Sequence, residues 1–74
     1  MNTKTLTLTK DIPNCEGEYL IKWLHRGHEV IHVQFRPKEG AFGVTWEEGF
    51  FISTWGSKHV SHINLDVVEW IAKL

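Results

Sequence analysis

Apolar and polar residues alternate along most of the chain, and this alternation predicts β-strands. In residues 4–9, Leu6 and Leu8 fall on one face and the threonines on the other, because successive side chains of a strand point to opposite faces. Four later segments show the same spacing and carry aromatic and β-branched residues, which suit a pleated surface. The predicted strands are residues 4–9, 18–24, 30–35, 41–46 and 50–55.

Turn-forming residues, among them Pro13, Asn14 and Gly17, separate these segments. Parallel pairing would need long crossover connections, which these short spacings do not allow, so we expect an antiparallel meander. No internal repeat, linker or low-complexity stretch interrupts the pattern, and we expect a single domain over residues 1–74. The predicted turns are residues 11–17, 26–27, 36–40 and 47–49.

The last segment has a different spacing. Asp66, Glu69 and Lys73 lie three and four residues apart, so helical winding would gather them on one narrow face, and Asn64 is a suitable N-cap. The sequence therefore predicts a short C-terminal helix from Leu65 onward. The β-branched residues of this segment favour the alternative of an edge strand.

Together these elements predict an α+β fold, in which a four- to five-stranded antiparallel sheet packs one face against the C-terminal helix. The apolar side of each element would supply the core. The predicted core residues are Leu6, Leu8, Ile21, Trp23, Ile31, Val33, Val44, Ile52 and Trp70.

The chain is short and nearly neutral. At 74 residues it can close one core, and its single cysteine, Cys15, has no partner in the chain for a disulfide. No apolar run approaches the roughly 20 residues that span a bilayer, so we expect a cytoplasmic protein that is neither secreted nor membrane-embedded. The formal net charge of -1 provides no basic stripe for a phosphate backbone, which disfavours general nucleic-acid binding.

The sequence contains no residue set that is typical of an enzyme or a metal site. Its five histidines, including the pair His59 and His62, lack the spacing and the accompanying Asp or Cys of known sites, and we interpret them as solvated side chains. Cys15 has no oxyanion-hole glycines beside it, and the adjacent acids Glu47 and Glu48 point apart in a turn. We predict no catalytic residue, no metal and no cofactor.

Aromatic residues are more numerous than one thin sheet needs. Phe50 and Phe51 are consecutive, so as strand residues they face opposite sides and one ring leaves the main core. Polar residues of the outer face and cations of the adjoining turns would surround that ring, forming a hot spot that fits an acidic protein surface or a phosphate-bearing ligand. The structural alternative is that the helix caps the ring and most tryptophans are core residues. The predicted binding residues are Lys22, Arg26, His32, Gln34, Arg36, Lys38, Phe50 and Phe51.

Two stretches resemble a small phage and prophage domain family of unknown function. Residues 12–21, with Pro13, Gly17 and Tyr19, resemble its opening motif, and residues 67–71 resemble its closing Val-x-x-Trp motif. The resemblance implies a phage or mobile-element protein and supplies no catalytic residue. The closing segment of that family is a strand, whereas the spacing of polar residues here predicts a helix.

A second resemblance is to chromodomains. Residues 19–23 look like their core strand, whose Trp helps to build an aromatic cage, and residues 45–47 resemble a later Thr-Trp-Glu motif. The resemblance implies that Trp23 and Trp46 are cage or core residues. A complete extra predicted strand, residues 30–35, separates the two motifs here.

These features favour a non-enzymatic phage or mobile-element accessory protein that binds a bacterial host protein, with inhibition of a defence system as the specific hypothesis. One alternative is an oligomeric sponge that encloses a nucleotide signal between aromatic and basic side chains. The other is a peptide-binding module of chromodomain or SH3-like type. Surplus apolar surface also predicts self-association as a symmetric dimer, with edge pairing of residues 3–9 as one route.

Overall fold

The computed structural model describes residues 5–37, 39–41, 44–46 and 48–74, and the described side chains are those of 5–37 and 48–74. Strands joined by short turns form this part of the chain, and it contains no helix long and apolar enough to cross a membrane. The strands are β1 (Gly17–Trp23), β2 (His28–Arg36), β3 (Glu39–Ala41), β4 (Val44–Trp46), β5 (Gly49–Ile52), β6 (Lys58–His59) and β7 (Val68–Lys73). Single 3-10 turns occur at Ser53–Trp55, Val60–His62 and Leu65–Val67.

Five strands form one antiparallel sheet in the order β6-β5-β2-β1-β7, and β3 and β4 form a separate two-stranded sheet. The predicted antiparallel sheet is confirmed, but the predicted meander order is wrong. The chain makes the β3–β4 hairpin before β5 pairs with β2, and β7 returns to the edge of β1 that the β1–β2 hairpin leaves open. The described fold is mostly β, and the α+β prediction holds only for its sheet.

Two predicted strands have different bounds in the structure. The predicted strand 41–46 is divided between β3 and β4, which pair with each other. The predicted strand 50–55 ends at Ile52, and the chain then turns through Ser53–Trp55, whose 3-10 turn closes with a 3.2 Å hydrogen bond from the Gly56 amide to the Ser53 carbonyl. This turn carries Trp55 back toward the start of β2.

The β1–β2 hairpin sets the two faces of the sheet. Its register pairs Tyr19 with Ile31 and Gly17 with Val33, so the alternate apolar residues of both strands point to one face, which we call the inner face. β5 and β7 add residues to this face, and the two 3-10 turns that follow β6 and precede β7 border it. The buried apolar residues are Tyr19, Ile21, Trp23, Ile31, Val33, Ile52, Val60, Ile63, Val68, Ile71 and Ala72.

Burial is confirmed for five of the predicted core residues, Ile21, Trp23, Ile31, Val33 and Ile52. The prediction is wrong for three others: Leu8 is 55% exposed, and Leu6 and Trp70 are half-buried. The side chain of Val44 lies outside the described part. Trp70 fails because its position in β7 faces away from the core.

The predicted C-terminal helix is wrong, and the alternative of an edge strand is confirmed. Asn64 does cap a turn, since its side chain accepts the Asp66 amide at 3.1 Å, but only a 3-10 turn follows before β7 begins. β7 then contains a bulge opposite β1. Val68 pairs with Trp23 and Trp70 pairs with Lys22, which leaves Glu69 as an extra residue.

The bulge also gives two apolar residues of β7 a helix-like spacing. An extra residue shifts the alternation by one position, so Val68 and Ile71, which are three apart, both point into the core. Regular alternation would have placed one of them on the opposite face. A period typical of a helix therefore arose from a strand with one irregularity.

The predicted N-terminal strand is wrong for residues 5–8, and residue 4 lies outside the described residues. Only Thr9 pairs with the sheet, through an isolated bridge in which its amide and carbonyl bond to Ile71 at 2.9 and 2.6 Å. Continuing that antiparallel register would bring Thr7 opposite Lys73, the last residue of β7. Leu8 and Leu6 would likewise face Ala72 and Leu74, but residues 5–8 form no ladder with this edge.

Candidate functional site

The face opposite the core, the outer face, carries most of the predicted binding residues. The register pairs Glu18 with His32, Lys22 with His28 and Gln34 with Phe51, and all of these positions alternate with the core residues. Arg36 ends β2 on the same face. The structure therefore places Lys22, His32, Gln34, Arg36 and Phe51 on one side of one sheet.

The remaining predicted residues lie elsewhere. Phe50 points to the inner face, where its ring packs against Phe35 with centroids 5.3 Å apart. Arg26 belongs to the β1–β2 turn, at the opposite end of β2 from Arg36. Lys38 lies outside the described residues. The predicted single surface is thus divided, and Phe51 is the ring that faces outward.

Phe51 is the centre of a small cluster that we call the outer patch, made of Gln34, Arg36, Phe51 and His59. The Arg36 guanidinium lies 5.6 Å from the centroid of the half-buried Phe51 ring, and the His59 ring meets Phe51 edge-on at 5.2 Å. Arg36 also donates to the Ser57 hydroxyl at 2.8 Å, which fixes its direction. The result is an aromatic surface with a cation held against it.

His59 reaches Phe51 because β5 begins with a glycine. A Cβ at Gly49 would lie 2.8 Å from Nε2 of His59, so the imidazole occupies the space that a side chain would take. Nδ1 of His59 accepts the Ser61 amide at 3.1 Å, which orients the ring. In the neutral imidazole, the proton is then on Nε2.

At the other end of the outer face, the Lys22 side chain is engaged in contacts within the chain. The Lys22 ammonium donates to the carbonyls of Trp23 and Arg26 at 2.7 and 3.1 Å and pairs with Glu69 at 3.4 Å. These bonds tie the β1–β2 turn to β7. Lys22 therefore stabilises the turn and contributes little free charge to a binding surface.

A second cluster lies on the inner face near that turn, and we call Trp23, Glu29 and Trp55 the Trp–Glu clamp. The two indole rings stack with centroids 6.1 Å apart and an interplanar angle of 21°. Each indole N–H donates to a different oxygen of the Glu29 carboxylate, from Trp23 at 3.2 Å and from Trp55 at 2.5 Å. Buried indoles need such an acceptor, and a carboxylate near a core needs such donors.

Glu29 and Trp55 were not among the predicted binding residues. A signal for Glu29 is present in the sequence, since it shares the alternation of Ile31 and Val33 and so places a carboxylate on the apolar face. No local pattern indicates Trp55, because its contact with Trp23 depends on how β5 pairs with β2 and on the turn that follows.

A groove of about 230 Å³ lies between the N-terminal segment and the β1 and β7 strands. At its floor the Tyr19 hydroxyl donates to the Cys15 carbonyl at 2.7 Å and lies 3.0 Å from the Cys15 sulfur. Burial first, and then the interactions with the Cys15 side chain, raise the pKa of Tyr19 to about 12. The phenol therefore stays neutral and holds the loop before β1 in place.

Within the described part of the chain, the histidines do not form a cluster with other potential metal ligands. His28 packs on Trp70 with ring centroids 5.6 Å apart, and His32 lies 3.7 Å from the Glu18 carboxylate. Among the residues described by the structure, no group of three His, Cys, Asp or Glu side chains is placed to hold a metal ion.

Comparison with known proteins adds no relative. No protein-family model matches the chain, and searches of curated proteins and of solved structures found no match to it. The outer patch and the Trp–Glu clamp are the two features of the structure that bear on function.

Proposed function

We propose that the protein is a non-enzymatic binding module that engages a partner protein through the outer patch. The single observation that carries this proposal is the position of Phe51. Its ring lies on the outer face with the Arg36 guanidinium 5.6 Å from its centroid, and Gln34 is its cross-strand partner. Aromatic residues and arginine are the residue types enriched at protein interfaces.

The chemistry of the patch favours an acidic partner segment. The Arg36 guanidinium bonds to a neutral hydroxyl, so it can still pair with a carboxylate, and the fixed guanidinium plane suits two-point contact with that group. The Phe51 ring would supply apolar contact beside the ion pair. In the phage interpretation the partner is a bacterial host protein whose activity the complex blocks, and only the sequence resemblance supports that part.

A peptide-binding module of SH3-like type is the second candidate, and one observation favours it. In the sheet, β7 lies at one edge beside β1, and the strands after β1 are β2, β5 and β6 in that order. A 3-10 turn directly precedes β7 in the chain. Small SH3-like barrels share this order of strands. Because such folds carry many unrelated functions, the order supports a type of fold and leaves the ligand open.

The test is affinity capture from bacterial lysate with the wild-type chain, Arg36→Ala and Lys10→Ala. Lys10→Ala removes the same charge beside Thr9, at the β7 edge of the sheet and away from the outer patch. Arg36→Ala should weaken binding of the captured partner about tenfold or more, as expected when a hot-spot arginine is lost, while Lys10→Ala should leave it unchanged. Equal binding by all three proteins would refute the outer patch as the site.

Two further arms separate the alternatives. A protease digest of the same lysate contains only unfolded peptides, so retained capture from the digest would favour the SH3-like candidate over recognition of a folded surface. Thermal-shift measurements with nucleotides examine the sponge hypothesis. The sponge hypothesis would be favoured if a nucleotide raised the melting temperature of the wild-type protein and the wild-type protein captured no partner from the lysate.

A further inference from the structure

The Trp–Glu clamp borders an open hollow beside the β1–β2 turn. Its volume is about 210 Å³, and it is lined by Trp23, Arg26, Gly27, His28 and Glu29. A Cβ at Gly27 would meet no atom within 4 Å, so the turn leaves free space next to the hollow. A planar side-chain group has room to enter from solvent.

Glu29 is arranged to receive a cation. Each carboxylate oxygen accepts one indole N–H, which fixes the carboxylate plane and leaves further acceptor capacity on both oxygens. Among the described side chains, no cation lies within ion-pair distance of Glu29. A carboxylate that is half-buried, oriented and without an ion-pair partner attracts positive charge.

Arg26 shows that a guanidinium is stable at this place. Its guanidinium lies 4.9 Å from the centroid of the Trp23 ring, although the residue itself belongs to an exposed turn. Among the described residues, the Trp23 ring is the one contact of this guanidinium, because Lys22 bonds to the backbone carbonyl of Arg26 and not to its side chain. An arginine from another molecule could make the same ring contact and also reach Glu29.

We propose that this hollow binds an arginine side chain of a partner protein, with Glu29 as its ion-pair partner and Trp23 as its stacking surface. Arg26 is the internal cation that the incoming guanidinium displaces from the ring. A guanidinium fits better than an ammonium because it is planar, stacks on an aromatic face and offers two parallel donors to a carboxylate. The site is separate from the outer patch, so the proposal goes beyond the function proposed above.

The test is an NMR titration of the full chain in which the indole N–H signals of its tryptophans are followed. The probe is Nα-acetyl-arginine methylamide, and the matched controls are the citrulline and lysine analogues, which replace the guanidinium by a neutral urea and by an ammonium. We expect saturable shifts of Trp23 and Trp55 with the arginine probe, with the millimolar affinity of a small ligand. The backbone amide signal of Gly49, which pairs with Arg36 at the far end of β2, serves as the internal reference.

Two substitutions sharpen the test. Arg26→Ala removes the competing cation and should tighten binding of the arginine probe about threefold or more, because an occupied site reduces the apparent affinity. Glu29→Gln should weaken it about tenfold, since the ion pair is lost while one acceptor oxygen remains. Arg36→Ala should not change the response, which separates this proposal from the outer patch.

Some outcomes overturn the proposal. An equal response to the citrulline probe would mean that charge plays no part, and an equal response to the lysine probe would exclude the guanidinium assignment. If Arg26→Ala, whose exposed turn position should preserve folding, binds the arginine probe no more tightly than wild type, the displacement is wrong. The comparison of Arg26→Ala with the wild type still tests the proposal if Glu29→Gln fails to fold.

Discussion

The protein places an arginine against an aromatic ring at both ends of β2, and the two pairs have different surroundings. Arg26 lies over Trp23, whose ring is 6% exposed and belongs to the core, and Arg36 lies over Phe51, whose ring is on the outer face. The residue types are alike, but the neighbours are not. Trp23 stacks on a second tryptophan and donates to a carboxylate, whereas Phe51 contacts only the edge of His59 among the described rings.

Burial, more than residue type, separates a structural pair from a recognition pair. At the Trp23 end, the ring contributes to folding, and only the hollow beside it is open to a ligand. At the Phe51 end, the ring itself is accessible. It can therefore contact a partner directly, and it contributes less to the stability of the fold than Trp23 does.

The largest expected effect is the loss of stability on removing the buried ring. Trp23→Ala should lower the free energy of unfolding by about 3–5 kcal/mol, because it leaves a cavity and removes the stacking partner of Trp55. Phe51→Ala should cost only about 1 kcal/mol, roughly half the value for a fully buried ring. Urea unfolding followed by far-UV circular dichroism measures both, and equal losses would contradict the contrast between the two ends.

A smaller effect should appear at alkaline pH, at Tyr19 on the inner face. Its pKa is raised from 10.0 to about 12 in the folded protein, so folding favours the protonated phenol. This stabilisation is fully present below about pH 10, falls as the pH rises, and is lost as the pH passes about 12. Unfolding free energies across that window should fall more steeply for the wild type than for Tyr19→Phe.

The two proteins differ only in the hydroxyl of residue 19, and all their other ionisable groups are the same. The difference between the wild type and Tyr19→Phe therefore isolates the phenol. Parallel stability curves for the two proteins would show that Tyr19 keeps its ordinary pKa and that this part of the inner face is wetter than the burial of the ring implies.

The smallest effect concerns the outer patch. Gly49→Ala would place a Cβ 2.8 Å from Nε2 of His59, so the imidazole must move off Phe51. Because a side-chain ring can shift, we expect a loss below about 1 kcal/mol together with changed NMR signals of His59 and Phe51. Gly27→Ala is the matched control, since its Cβ meets nothing within 4 Å. Unchanged His59 signals in Gly49→Ala would mean that the ring does not lie against β5.

The hairpin and its two faces could be predicted from the sequence because both depend on local spacing. Alternation in residues 18–24 and 30–35 was sufficient to place Ile21, Ile31 and Val33 in the core and His32 and Gln34 on the outer face. A tight turn joins these strands, so their pairing does not depend on distant parts of the chain.

The two ends of the chain could not be predicted in this way. The bulge at Glu69 gives Val68 and Ile71 the spacing of a helix, and only the pairing with β1 reveals a strand. Residues 5–8 alternate well but form no ladder with β7, and alternation alone does not show whether a segment pairs. The Trp–Glu clamp was missed for a related reason, because Trp55 reaches Trp23 through long-range pairing that no local pattern encodes.

The position of the β3–β4 hairpin has a practical consequence for protein engineering. The chain leaves the main sheet at Arg36 and re-enters it at Gly49, and these two residues are cross-strand partners. Their Cα atoms are therefore about 5 Å apart, a gap that a tight turn can close. The sheet is therefore continuous from Arg36 to Gly49 without the connection between them, which makes that connection the natural place to shorten the chain or to graft a reporter domain.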